Sequence, residues 1–465
     1  MSTAFPLRKR SRSAGCGFAT FVHEDKPHGE VERGGVGKVV RVRFRGIVAV
    51  LALAGLALAG CALSGRTAAG AVNQALADTR AGIVTCGSTI TKNTTLNHDL
   101  VNCRNSGIII GADHLTLNLN GHSIGGDGAP VSTCPPKHAC DIGVDNTAGH
   151  ADVTIRSGSI KQFDVAVLLE GAEQNRLRDL TVSTTSSFGL VIRNSNLSVL
   201  EHNTLTSTGT SGILLQKETR IRVVGNSVSG NSGFGIVLAM VDQSLVQQNR
   251  VHDNGHGISV QAGSTHDTLR RNLLSHNGSS SIDIGGDGVL AIRIDHNRLT
   301  NNGDGIIFGD ANDSVIDQNV IIGTGTGVDN PEAGGFGIRL DGSDRNVVSG
   351  NTVTGGLGPA ILIISEEFPT PAENNIVRSN RVTSTEADGI AIGPNAPHTL
   401  LESNIARGSG DDGIDVADAA TTLTRNTATK NKQLGINAVL GVTDGGGNQA
   451  SANGNSAQCL NVKCN

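Results

Sequence analysis

The feature that most constrains this chain is a repeat of 22 to 24 residues. A small residue followed by an aliphatic recurs at Gly143-Val144, Ala166-Val167, Gly189-Leu190, Gly212-Ile213, Gly235-Ile236 and Gly257-Ile258. The series continues through Ser281-Ile282, Gly305-Ile306, Gly337-Ile338, Ala360-Ile361, Gly389-Ile390, Gly413-Ile414 and Gly435-Ile436. Another apolar residue stands two positions on, as at Leu215, Leu238, Phe308 and Leu340. This period-two alternation predicts a short strand with one face inward. An Asn series keeps the same beat: Asn203, Asn226, Asn249, Asn272, Asn297, Asn319, Asn351, Asn380, Asn404 and Asn426. It marks a bend between a second and a third short strand. Asn suits such a bend because it tolerates left-handed backbone and its amide can bond to the next Asn along a stack.

A unit this small cannot bury its apolar side alone, so successive units must stack and pair their strands. The expectation is an all-β parallel solenoid of about fourteen coils, a rod on the order of 65 Å long. Composition agrees. Hydrophobic residues at 37% suffice for a core, and 62 Gly with only 11 Pro exclude collagen. Residues 1–60 hold ten Lys/Arg and four Asp/Glu, leaving 27 against 38 in the remainder. That acidic body argues against a nucleic-acid partner.

The stretch Gly111-Ala112-Asp113-His114-Leu115-Thr116-Leu117-Asn118-Leu119-Asn120-Gly121-His122, followed by Val153-Thr154-Ile155-Arg156-Ser157-Gly158-Ser159-Ile160, resembles the opening of pectate-lyase-like, NosD-type β-helix proteins. The resemblance spans about 83–440. It implies a right-handed parallel β-helix of the pectin lyase fold, with the Asn ladder between the second and third strands. It does not fix an activity, because the superfamily holds lyases, hydrolases, epimerases, periplasmic accessory proteins and adhesins. Copper handling, which NosD-type relatives suggest, finds little support, since Met240 is the one Met after Met1 and the His residues are scattered.

The front of the chain reads as an address. Arg41, Arg43 and Arg45 precede the apolar run Ile47–Gly60, and Cys61 follows at once. Leu58-Ala59-Gly60-Cys61 resembles a bacterial lipobox, which makes Cys61 the expected lipidation site of a cell-surface lipoprotein. Cleavage after Ala59 would instead release a secreted protein. Domains follow as 1–60 pre-sequence (with 1–38 open to being untranslated), 61–82 tether and 83–465 β-helix with a cap at each end.

Exported chains with an even set of Cys invite disulfides. Proximity pairs Cys86 with Cys103, Cys134 with Cys140 and Cys459 with Cys464, though sequence alone does not fix connectivity. A zinc site is the rival reading, against which stand the spacings and the lack of a nearby His cluster.

In the enzymes of the resembling superfamily the groove runs over the first strand, here the Gly-Ile strand. Two longer steps in the repeat add residues around Gly323–Gly335 and Ser365–Glu373, flanking neighbouring coils from opposite sides. Outward positions on the strand include Ser259, Asp283, Ile307, Arg339, Asp341, Leu362, Ala391 and Asp415, with Asp304, Asp388 and Asp412 at the rim. Arg339, Asp283 and Asp304 are the candidate catalytic residues, Arg339 binding an anionic sugar beside an acidic site. A solvated charged face is the plainer reading, and in either case these exposed positions should contribute little to stability. Gly255-His256-Gly257-Ile258-Ser259 looks like a polygalacturonase motif without the acids expected upstream.

Two function classes result. One is a non-catalytic surface protein that binds a glycan or protein partner, or serves as a rigid spacer. The other is a lyase, hydrolase or epimerase on an acidic cell-surface or environmental polysaccharide, needing no cofactor unless a lyase uses calcium. The membrane is met only through the lipid anchor. The absence of Trp and Tyr weakens the sugar reading, although Phe336 and Phe368 lie near the inserted segments.

Overall fold

The computed structural model describes residues 83–129, 141–325, 334–368 and 370–465. Cys61, Cys134, Cys140 and the whole of 1–82 lie outside them. Among the described residues no helix is long and apolar enough to cross a membrane.

The first strand of every coil joins one 16-stranded sheet, from Ser88–Ile90 to Cys459–Leu460. Each strand pairs in parallel with its equivalent one coil on, as Phe188–Arg193 does with Ser211–Thr219, and Ser211–Thr219 with Phe234–Asp242. The second and third strands stack likewise, Val199–Glu201 on Arg222–Val224 and Thr204–Thr206 on Ser227–Ser229. The sheet exceeds the thirteen strands marked by the Gly-Ile series because the end strands lack that pair, while Gly107-Ile108 continues the series across a 36-residue step. The chain is an all-β parallel solenoid, as the repeat requires.

Inward positions such as Ile213, Leu215, Val223 and Val228 are fully buried and belong to one continuous apolar core. Burying each is worth roughly 1.5–3 kcal/mol against the entropy of ordering its coil.

The Asn ladder stands where the sequence places it, at the bend between second and third strands. Asn249 Nδ2 donates to the Val223 carbonyl at 2.9 Å and to Asn272 Oδ1 at 3.0 Å, while Asn249 Oδ1 accepts the Asn226 amide at 2.9 Å. The left-handed residue, however, is not the Asn. It is the residue before, as at His202, Gln248, Arg271, His296 and Gln318, whose φ lies between 52° and 56°. Non-Gly residues there cost about 1–2 kcal/mol each, which the amide ladder offsets. A second ladder, Asn231, Asn254, Asn277 and Asn302, lines the next bend and was not read from sequence. Its signal is an Asn five residues after Asn226, Asn249, Asn272, Asn297 and Asn426.

Disulfides Cys86–Cys103 and Cys459–Cys464 close the first and last coils as proximity suggests. They fit an oxidising compartment.

Candidate functional site

Parallel pairing without offset lines up equivalent positions of successive coils. Ser259, Asp283, Ile307, Arg339, Leu362, Ala391, Asp415 and Asn437 therefore form one outward row along the rod. Period-two alternation turns each of them away from the core. Gln261, Gly285, Gly309, Asp341 and Ile364 form a second row beside it.

Arg339 does not stand on an open face. It is 8% exposed and Asp341 2%. Arg339 Nη2 lies 2.5 Å from Asp341 Oδ2 and 3.1 Å from Glu367 Oε1. Its guanidinium also lies over the Phe336 ring, 5.2 Å from the centroid. The segment before the strand thus supplies Phe336 and the segment after it supplies Glu367, so Arg339 joins the two inserted segments. This differs from the sequence expectation of an exposed cation, because the paths of those two segments lie outside the repeat.

The neighbouring acids anchor the same two segments. Asp304 Oδ1 accepts the Phe336 amide at 2.9 Å, and the Gly334 and Gly335 amides also hydrogen-bond to this carboxyl. Burial nevertheless pushes Asp304 up to about 6, against the lowering effect of those amides and of Arg339. Asp341 Oδ1 accepts the amides of Glu366 at 3.0 Å and Glu367 at 3.4 Å. The Phe368 ring closes over Gly309, where a Cβ would sit 2.7 Å from Phe368 Cζ. Ser365 Oγ donates to the Phe368 and Thr370 carbonyls, and Thr370 Oγ1 to the Gly342 carbonyl, which pins that turn.

Asp283 is the exception in this group. It is half-buried on the floor, and no described residue donates a hydrogen bond to its carboxylate. Burial, with repulsion from Asp304, pushes it up to about 6. The arrangement is a floor of Asp283 and Ile307 beside two walls held by Arg339. It offers a carboxyl that exchanges its proton near neutral pH, with Phe336 and Phe368 in the flanking segments.

Sequence reasoning missed the anchoring role of rim Asp residues, although a signal exists. Asp-Gly-Ile recurs at 304–306, 388–390 and 412–414, and each Asp accepts an amide of the next coil. Asp388, Asp411 and Asp412 bring ligand atoms within 4.8 Å of one another. Burial pushes Asp388 to about 7 and Asp415 to about 6, with adjacent carboxylates adding to both. Two of the three are occupied, Asp388 Oδ1 by the Asp412 amide and Asp412 by the Leu434 amide and Asn437 Nδ2. His256 aligns with Phe234 and stacks on it, ring centroids 4.6 Å apart, so it holds an ordinary repeat position.

Two family models match the chain. One, described as a right-handed beta helix region, covers residues 235–372, and the other, described as periplasmic copper-binding protein (NosD), covers 141–289. No curated protein sequence matches. Among solved structures, the A-module of Azotobacter vinelandii mannuronan C-5 epimerase AlgE4 is 15% identical with a TM-score of 0.53, covering 67% of this chain and 91% of that one. The AlgE6 A-module is likewise 15% identical at 0.53, covering 68% and 90%. The winding and register define a β-helix protein. The fold is a parallel β-helix, and residues 235–372 are similar to a right-handed beta helix region. Copper does not fit the described residues, because the single group of three candidate ligands is all carboxylate and lies outside 141–289.

Proposed function

We propose that the protein is an exported β-helix that binds a glycan across the coils from Ser259 to Leu362, and that Cys61 anchors it to the membrane by lipid. One observation carries the glycan reading: Arg339 binds Glu367 and lies over Phe336, on the two sides of its strand, beside a carboxyl, Asp283, that has no donor among the described residues. Long segments on a solenoid are where binding is commonly grafted, and Phe336 and Phe368 supply the apolar faces sugars stack on. The structural neighbours named above are polysaccharide epimerase modules, which supports the fold as a scaffold for such ligands. A panel of oligosaccharides tests the reading. Phe368→Ala should weaken binding of any positive oligosaccharide at least tenfold, and a change under twofold would remove the site from these coils.

Catalysis is a second reading, favoured by the elevated Asp283. A carboxyl still protonated near pH 6 can donate to a leaving glycosidic oxygen, with Asp304 nearby as its coupled acid. A screen of polysaccharides for reducing ends and for ultraviolet-absorbing unsaturated products, with and without calcium, separates hydrolysis from elimination. No product from any polysaccharide that binds would leave binding alone.

A further inference from the structure

The charges of the groove narrow the chemistry of its ligand. Asp283 is a half-buried carboxyl with no donor among the described residues, and such a group is stabilised by an opposite charge. The cation nearest along its row is Arg339, already engaged by Asp341 and Glu367. Asp304 is occupied by backbone amides and lends no positive charge. On the outward rows from Ser259 to Asn437, Asp283, Asp341 and Asp415, with Asp304, Asp388 and Asp412 at the rim, stand against one Arg, so among the described residues the floor lacks a free positive charge. Burial keeps His256, at the entry to this stretch, below its usual pKa and therefore neutral at pH 7.

A uronate polymer would place its carboxylates against Asp283 with no free guanidinium to receive them. A neutral sugar would leave Asp283 unpaired. We propose that the groove selects a glycan carrying protonated amino groups, one ammonium pairing with Asp283 between the walls that hold Phe336 and Phe368. This rests on the glycan-binding reading and names its substrate class. Five coil steps, about 24 Å, separate Asp283 from Asp415, so an extended oligomer of amino sugars meets a carboxyl at each end.

The test is titration calorimetry of the protein at pH 7, where Asp283 is mostly ionised, and 150 mM salt with three hexamers: glucosamine, N-acetylglucosamine and galacturonate. The glucosamine hexamer should bind at least tenfold more tightly than either other. Asp283→Asn should remove that preference, and Asp253→Asn, at an exposed bend off the outward rows, should leave it intact. Equal losses from both variants would mean non-specific attraction to an acidic protein and would overturn the proposal. Binding of the acetylated or galacturonate hexamer as tightly as glucosamine would overturn it while leaving glycan binding in place. Galacturonate binding that appears with calcium and vanishes with chelator would make Asp283 a cation ligand and would also overturn it. No binding of any hexamer would overturn both readings.

Discussion

The Arg339 guanidinium meets the Asp341 carboxylate at 2.5 Å, and the two residues stand two apart on one strand, Ile338–Asp341. Both therefore project from the same face, into the seam between the inserted segments. Asp341 also holds the Glu366 and Glu367 amides, so the pair fixes a wall as well as a charge.

Arg339→Ala should lower stability by about 3 kcal/mol, because removing one partner leaves a buried carboxylate uncompensated. Urea unfolding measures the loss. Limited proteolysis should show new cleavage near Glu366–Phe368, and an unchanged urea midpoint with unchanged cleavage would mean the segments hold without Arg339.

Asn249→Leu should cost about 3 kcal/mol. It strands the Val223 carbonyl, the Asn272 side-chain oxygen and the Asn226 amide inside the bend. Asn249→Asp keeps the acceptor and should cost less at low pH than at neutral pH. Equal losses for both variants at both pH values would argue against the amide ladder.

Asp267 is buried, its Oδ1 accepting the Ser244 amide at 2.8 Å and its Oδ2 without a partner. Burial pushes it up to about 8, and Glu218, also buried, up to about 8. Folding therefore favours their protonated forms. Between the unfolded value near 4 and the folded value near 8 the native state binds more protons than the unfolded one, so their contribution falls as pH rises. Asp267→Asn should be nearly neutral at pH 4 and stabilise by about 1–3 kcal/mol at pH 8. In later coils Asn346 and Asn375 already occupy the equivalent position, their Nδ2 donating to the Ala311 and Ser343 carbonyls. Thermal scans at the two pH values check this, and a variant less stable at pH 8 would mean Asp267 is held ionised.

Cys61→Ser should move the protein from the membrane fraction to the medium. Undiminished membrane retention would assign anchoring to the apolar run at 47–60 instead.

The solenoid was legible because stacking repeats a pattern thirteen times, and each repetition carries the same signal. Parallel pairing then aligned Asp283, Ile307 and Arg339 in one outward row, as period two requires. What exposure those residues have was not legible. It depends on Phe336 and Glu367, which occur once and whose contacts with Arg339 no repeat predicts. The left-handed residue before each ladder Asn was hidden for a different reason. His202, Gln248 and Arg271 share a backbone conformation but no side-chain type, so composition gives no mark of it.

That indifference of the bend to side chain has a consequence for how such a rod could change its length. Between Ala166 and Gly235 the repeat is 23 residues throughout, and each ladder Asn bonds to another Asn. Excising one period there would hand every amide a replacement of its own kind, and duplicating one would do the same. The coils carrying Phe336 and Phe368 have no such freedom, since each holds something its neighbours lack. Gene duplication can therefore lengthen the shaft coil by coil while the segment that carries Phe336 and Phe368 stays a single copy, moved to a different height along the rod.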